Sequence, residues 1–358
     1  MHFWSSLVKR PRVLINGAFR GQTVTGQQRY ATEVAKRLLV GERIATREKS
    51  PVGTIRKSKV LTWGWALMLA YLPRLRGEWL LTLTSRGPLT ARRHMLVVHD
   101  LFILDHPEWF STLYVRTHAP IFRSQLRSAS LLIAVSQPVA DSIRARFGDR
   151  EIVVAPNAPA DVFSRKPGRS VDGLLDLGLT AKKYILSVGS RDPRKNASAL
   201  IRAHGSLPSS TQLEFPLILV GAGASSAFDT SATLIETGVR HLGYVSDEIL
   251  AMLYAQARLV VFPSIDEGFG LPAIEALACG ADLLVSEIPV LRWVCGQHAE
   301  YFSLADTSAL VRALSLLIHA PSAGTGTPEE RSSYATERFS WSTTVKVIEN
   351  AIADQTLL

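Results

Sequence analysis

Short apolar runs, each closing on a turn-forming or polar residue, recur along the chain between stretches of helical periodicity. "PRVLING" (11–17), "HMLVVHD" (94–100), "LLIAVS" (131–136) and "EIVVAPN" (151–157) make a first series. Beyond the polar stretch "SRKPGRS" (164–170) a second begins, with "KYILSVGS" (183–190), "FPLILVGAG" (215–223), "RLVVFPS" (258–264) and "ADLLVSE" (281–287). The runs are continuously apolar and do not alternate, which predicts parallel strands covered by helices on both faces. Two series joined by a Pro/Gly linker predict an α/β chain of two Rossmann-like domains facing across a cleft. One larger doubly wound sheet is the alternative. Ligands of open α/β sheets lie beyond the carboxyl ends of the strands. Polar residues and glycines collect there in this chain: Asn16-Gly17, His99-Asp100, Ser136, Asn157, Gly189 to Arg191, Gly221, Gly223, and Ser264 to Gly270. The pattern predicts a site assembled from many strand ends.

The densest punctuation is "DEGFGLPAIEALACG" (266–280). Pro272 suits the first turn of a helix, where its missing N–H costs nothing, and Gly280 suits the stop. Gly268 and Gly270 let backbone N–H groups approach a ligand that a side chain would block. A helix N-terminus adds partial positive charge, so this turn favours an oxyanion. Glu267 precedes the turn and Glu275 lies about one turn into the helix. Carboxylates beside an anion site are suited to accepting hydrogen bonds from hydroxyls. Sugar hydroxyls on both sides of a diphosphate meet all of these demands. Taken alone, the two glutamates read equally well as a solvated carboxylate and a helix-dipole residue.

Composition narrows the classes. With 47% hydrophobic and 20% charged residues the chain is globular in composition. No apolar run reaches the ~18 residues of a spanning helix, and the basic start lacks a signal-peptide core. Cys279 and Cys295 support neither a disulfide framework nor a zinc cluster. These features predict a cytoplasmic protein. Residues 1–170 hold 27 Lys and Arg against 11 Asp and Glu, a balance of +16, whereas the rest hold 13 against 20, or −7. Such asymmetry predicts an anionic partner for the first half, whether a membrane surface, a polyphosphate or a nucleic acid.

The stretch "VFPSIDEGFGLPAIEALACG" resembles the E-x(7)-E signature of retaining glycosyltransferases of family 4, which have the two-domain GT-B fold. The resemblance covers most of the chain in order. "TGQQRYATEVAKRL" (25–38) is similar to the first βα loop and its helix, and "VVHDLFILDHPEWF" (97–110) to the histidine loop of bacterial mannosyl- and rhamnosyltransferase-like members. "AVSQPVADSIRARFG", "VVAPNAP", "SVGSRDPRKNASALIRAH" and "LGYVSDEILAMLYAQA" follow in the family's sequence. The resemblance implies an acceptor-binding domain over residues 1–166 and a sugar-nucleotide domain over 171–335. A C-terminal helix over 336–358 would pack back on the first domain.

By the same resemblance, Glu267 holds hydroxyls of the donor sugar and Glu275 the ribose. Backbone N–H groups of Phe269, Gly270 and Leu271 meet the sugar and diphosphate. Lys195 matches the family's phosphate-binding lysine, an ammonium suited to charge developing on the leaving diphosphate. The family arginine is replaced by Ser190, which leaves Arg191 or Arg194 to supply that charge. Tyr244 and Val245 line the base, Gly26 lets the N-terminal loop close over the phosphates, and His99 reaches the donor sugar. Lys195 also reads as surface charge and His99 as a core histidine; His94, His106 and His118 read as structural. No Asp-x-Asp motif occurs, so a metal-independent donor site with no cofactor is expected, with GDP-mannose the favoured donor.

Residues 56–79, "RKSKVLTWGWALMLAYLPRLRGEW", set a 13-residue apolar run between Lys57, Lys59 and Arg74, Arg76. Trp63, Trp65, Tyr71 and Trp79 are of types that favour membrane interfaces. The run reads either as a buried helix and strand or as a face that docks on anionic lipid at the inner membrane surface and receives a lipid-linked acceptor. The expected activity is hexose transfer, mannose favoured, from a sugar nucleotide to a bacterial glycan. A basic nucleic-acid- or membrane-binding module is the alternative of another class, although no nucleic-acid partner is expected. A sugar-nucleotide epimerase or phosphorylase of the same fold is a third.

Overall fold

The computed structural model describes residues 10–22, 25–53, 55, 58–71, 77–164, 172–189, 192–221, 238–306, 308–320 and 324–357. Two all-parallel six-stranded sheets organise the chain. The first contains β1 (Arg12–Asn16), β2 (Ala45–Lys49), β3 (Trp79–Thr82), β4 (His94–Val98), β5 (Leu131–Ala134) and β6 (Ile152–Val154), in the spatial order β2-β1-β3-β4-β5-β6. The second contains β7 (Ile185–Val188), β8 (Leu217–Val220), β9 (Val239–Gly243), β10 (Leu259–Phe262), β11 (Leu283–Ser286) and β12 (Glu300–Phe302), ordered β12-β11-β10-β7-β8-β9. All eight apolar runs of the sequence are strands. β2, β3, β9 and β12 are additional.

The central strands β3, β4, β5, β10 and β11 are buried at every position, as strands covered on both faces must be. Around the second sheet, Ile185, Leu217, Leu259 and Leu284 pack with Leu200, Leu310 and Leu314 from helices Ala197–Gly205 and Ala309–Leu317. Around the first, Leu96, Val98, Leu132 and Ala134 pack with Phe122 and Leu126 of helix Thr112–Ser128 and with Ile143 of helix Gln137–Phe147.

The chain divides into two compact units, one comprising residues up to Asn157 together with helix Trp341–Leu357, the other Ala158–Ser340. The first break falls ahead of the 164–170 linker. Phe163 accounts for this: its buried ring meets Tyr254 edge-on at 6.1 Å, and its carbonyl accepts from Cys279 Sγ at 3.6 Å, both in the second unit. The last break falls at 340/341, five residues past the sequence boundary at 335/336. Helix Pro328–Arg338 accounts for that, because it stays with the second unit through Arg331, whose guanidinium donates to Gly280 O at 3.0 Å and pairs with Asp282 at 2.8 Å. In the first unit the C-terminal helix brings Trp341 against Tyr30 at 5.8 Å, and Thr344 Oγ1 donates to Pro156 O at 2.6 Å.

The 56–79 stretch is not one apolar segment. Helix Lys59–Leu67 starts at Ser58, whose hydroxyl accepts from Leu61 N, and buries Thr62 and Ala66. Trp65 packs against Leu14, Leu69 and Leu80. Trp79 is a buried residue of β3, so it supplies no interfacial aromatic. Lys57, Arg74 and Arg76 lie outside the described residues. Among the described residues no helix is long and apolar enough to cross a membrane.

Candidate functional site

Each sheet reverses its direction of winding once. In the second unit β7, β8 and β9 run outward one way, and β10 starts again on the other side of β7. The loops leaving β7 and β10 therefore part at their carboxyl ends and open a crevice, the ligand position of open α/β sheets. In the first unit the reversal lies between β1 and β3.

The β7/β10 crevice holds Lys195 and Glu267. Lys195 closes a single 3₁₀ turn, Pro193–Lys195, that Asp192 caps by accepting from Arg194 N at 3.0 Å. Its ammonium meets Glu267 Oε1 at 2.6 Å, with the two side chains only 20% and 12% exposed. Ser264 Oγ donates to the same carboxylate oxygen at 2.8 Å, and Ser264 O in turn accepts from Ser286 Oγ at the end of β11. Ile265 N donates to Arg194 O at 2.7 Å, tying the two loops together beneath the ion pair. Gly189 completes the cradle: a Cβ there would stand 3.2 Å from Lys195 Cγ, so the glycine gives the lysine stem room to cross the strand end.

Arg194 directs its Nε to Asp192 Oδ2 at 2.8 Å. Burial pushes the Asp192 carboxyl up, but its hydrogen bonds with Arg194 and the nearby charges of Arg194 and Lys195 outweigh that and hold it below the usual range. Arg191, the other candidate for the missing family arginine, and Ser190 lie outside the described residues.

Gly270 caps helix Leu271–Ala278 at φ 81° and ψ 45°, a left-handed conformation that favours glycine. An added Cβ would also stand 2.8 Å from Leu291 Cδ2. In the helix's first turn Pro272 carries no N–H and Ala273 N donates to Gly270 O at 3.0 Å, which leaves the N–H of Leu271 beyond the reach of any intrahelical carbonyl. Glu275 is buried within this helix. The Phe269 ring is core, edge-on to Phe339 at 5.4 Å, so only its backbone can serve a ligand. Tyr244 and Val245 follow β9; Tyr244 is 81% exposed and Val245 half-buried.

His99 and Gly26 belong to the first unit. His99 Nε2 lies 2.9 Å from Leu83 O and its ring meets Tyr30 edge-on at 5.2 Å. Burial drives its pKa down to about 4 against a smaller upward pull from the Leu83 bond, so the imidazole is neutral near pH 7. With Nε2–H given to Leu83, its other nitrogen can only accept. Gly26 is the exposed first residue of helix Gly26–Val40, not a loop residue. Sequence reasoning placed Ser264 among the strand-end polar residues without giving it a role, and passed over Asp192 and the Gly189–Lys195 packing. The Ser264 hydroxyl on a strand end was the one legible signal among these.

Two parallel Rossmann-like sheets, the second with its crevice at the β7/β10 reversal, define the GT-B class of fold. An Anabaena HepE structure in complex with UDP and glucose superposes with a TM-score of 0.70 over 96% of this chain and 100% of that one, at 18% identity. Residues 177–338, nearly all of the second unit, match the family of glycosyl transferases group 1. It is 35% identical over 231 residues to O-antigen chain mannosyltransferase B of Escherichia coli, a match covering 62% of this chain and 60% of that relative's length. It is 26% identical to O-antigen chain mannosyltransferase RfbU of Salmonella typhimurium, over 73% of this chain and 71% of that one.

Proposed function

We propose that this protein is a retaining glycosyltransferase that moves mannose from GDP-mannose to a lipid-linked glycan in bacterial polysaccharide synthesis. The observation that carries the reading is the Lys195–Glu267 pair at the β7/β10 reversal, one turn ahead of the Gly270-capped helix. The diphosphate lies at the start of that helix, where the backbone N–H groups of Gly270 and Leu271 and the Lys195 ammonium neutralise it without a metal ion. Glu267 accepts from donor-sugar hydroxyls and Glu275 from the ribose. Tyr244 and Val245 flank the base. The mannosyltransferase names of the relatives support mannose, and the bound UDP and glucose of HepE support a sugar nucleotide.

Transfer breaks the bond from the anomeric carbon to the β-phosphate oxygen and forms one to the acceptor oxygen on the same face. The leaving phosphate takes the acceptor proton, and Lys195 stabilises the charge that remains. Work at the inner face of the cell membrane follows from a lipid-linked acceptor and the basic first half. The test is incubation with GDP-mannose, UDP-glucose and a dTDP-hexose, with nucleotide release and product anomeric configuration as readouts. Release confined to GDP-mannose with an α-linked product supports the reading; release from none of the three refutes it.

A further inference from the structure

The first unit has its own reversal of winding, between β1 and β3, and a charged group there is left without an opposite charge. Arg86 sits in the loop beyond the carboxyl end of β3. Its backbone is fixed from both sides. Asn16 Nδ2, at the end of β1, donates to Arg86 O at 2.6 Å, and Gln125 Nε2, from helix Thr112–Ser128, donates to Gly87 O at 2.6 Å. Ser128 Oγ donates to Leu89 O at 2.9 Å. The side chain is treated differently. Its Nη1 is fully buried with no hydrogen-bond partner, and no described carboxylate forms an ion pair with it. Burial accordingly pulls the guanidinium below its ordinary pKa. A half-buried cation without a counter-charge costs stability, and an anionic ligand would offset that cost.

Beside this cation runs a ladder of rings. The Arg86 charge acts on both Tyr114 and His118. Tyr114 stacks on His118 at 3.8 Å and on Phe110 at 5.6 Å, and Trp63 lies against His118 at 4.7 Å. Tyr114 is 43% exposed. With His118 and Phe110 on its two faces, Tyr114 presents an exposed edge and hydroxyl that suit sugar hydroxyls, and a guanidinium fork matches phosphate oxygens. We propose that Arg86 and Tyr114, held in the Trp63–His118–Tyr114 ladder, form a subsite for a glycosyl phosphate, with the phosphate on the guanidinium and the sugar hydroxyls at the exposed edge of Tyr114. The inference rests on the glycosyltransferase reading, of which it is the acceptor side: the ligand is a sugar joined to a phosphate, from a lipid-linked glycan or a soluble one.

The test is calorimetry on the full chain with three probes: a short-alkyl α-mannosyl phosphate, methyl α-mannoside and inorganic phosphate. Wild type should bind the mannosyl phosphate at least tenfold more tightly than either fragment. Arg86→Gln should lose about tenfold toward mannosyl phosphate and nothing toward methyl mannoside. Its melting temperature should be unchanged or higher, because no ion pair is lost. Tyr114→Ala, the second variant, should weaken both sugar probes. Equal binding of mannosyl phosphate to wild type and Arg86→Gln overturns the proposal. So does loss of binding to phosphatidylglycerol vesicles in Arg86→Gln with mannosyl phosphate affinity intact, which assigns the arginine to lipid headgroups. Donor binding, followed by the thermal shift with nucleoside diphosphate, should be the same in all three proteins. A wild type that turns over no sugar nucleotide refutes the transferase reading alone, and the calorimetry still decides Arg86.

Discussion

Lys195 and Glu267 hold each other in the ligand-free protein, and a diphosphate should compete for that embrace. At 2.6 Å between largely covered groups, their attraction is about 4 kcal/mol for an effective dielectric constant of ~20 and charge centres ~4 Å apart. Desolvation offsets much of it, so a double-mutant cycle of Lys195→Ala and Glu267→Gln should give a coupling of about 1–2 kcal/mol in urea unfolding. With saturating nucleoside diphosphate, the ammonium gains phosphate oxygens and depends less on the carboxylate. The coupling should then fall by half or more. In turnover, Lys195→Ala should lower kcat by about 10²–10³ and donor affinity much less, because charge on the leaving group peaks as the bond breaks. A coupling below about 0.3 kcal/mol makes the pair surface decoration. A coupling that nucleotide leaves unchanged separates the lysine from the diphosphate, and the donor site must then be drawn elsewhere.

Glu275→Gln should weaken nucleoside diphosphate binding by about 1.5–3 kcal/mol, read by calorimetry; wild-type affinity removes the ribose assignment. Gly270→Ala should destabilise the fold by roughly 1–3 kcal/mol in urea unfolding, since the φ of 81° is strained for alanine and its Cβ meets Leu291; an unchanged midpoint contradicts that geometry. His99 has a folded pKa of about 4 against an ordinary 6.5, so its contribution of roughly 2–4 kcal/mol is present above pH 6.5 and is lost as the pH falls toward 4. His99→Gln should flatten unfolding midpoints across that window, and an identical slope in both proteins would falsify its neutral burial. Activity should persist in excess EDTA; complete loss restored by a divalent cation ends the metal-independent reading.

The strands that the sequence revealed and those it concealed differ in burial. Seven of the eight apolar runs are strands flanked on both sides, where both faces need apolar side chains; the eighth, β6, is an outermost, half-buried strand that was legible because Ile152, Val153 and Val154 are all apolar. β2, "ATREK", and β9, "VRHLG", are outermost strands with exposed or half-buried positions, and β12 has three residues. An edge strand satisfies one ladder and one face, so charged residues suit it and the apolar signal fades. β3 was hidden for a different reason. "WLLT" is fully buried between β1 and β4, yet it follows the aromatic 56–72 run so closely that the two merge into one apolar stretch. The tryptophan read as interfacial, Trp79, is the first residue of that strand.

The site divides along the same line between local and assembled features. Gly270, Pro272 and the two glutamates announce themselves because a left-handed cap and a helix start are properties of adjacent residues. The Lys195–Glu267 pair spans 72 positions and exists because the sheet reverses between β7 and β10. Arg86 is further from view. "TSRGPLT" carries no motif, and its basic residue is one of many in the first half. What sets it apart is the combination of a fixed backbone, a buried nitrogen and no carboxylate, which depends on Asn16, Gln125 and Ser128 arriving from elsewhere in the sequence. Net charge pointed to an anionic partner for this half, but a sum over 170 residues cannot choose a residue. Among the described arginines, one whose charge is desolvated and unmatched has the most to gain from an anion, and that criterion is visible only in the folded chain.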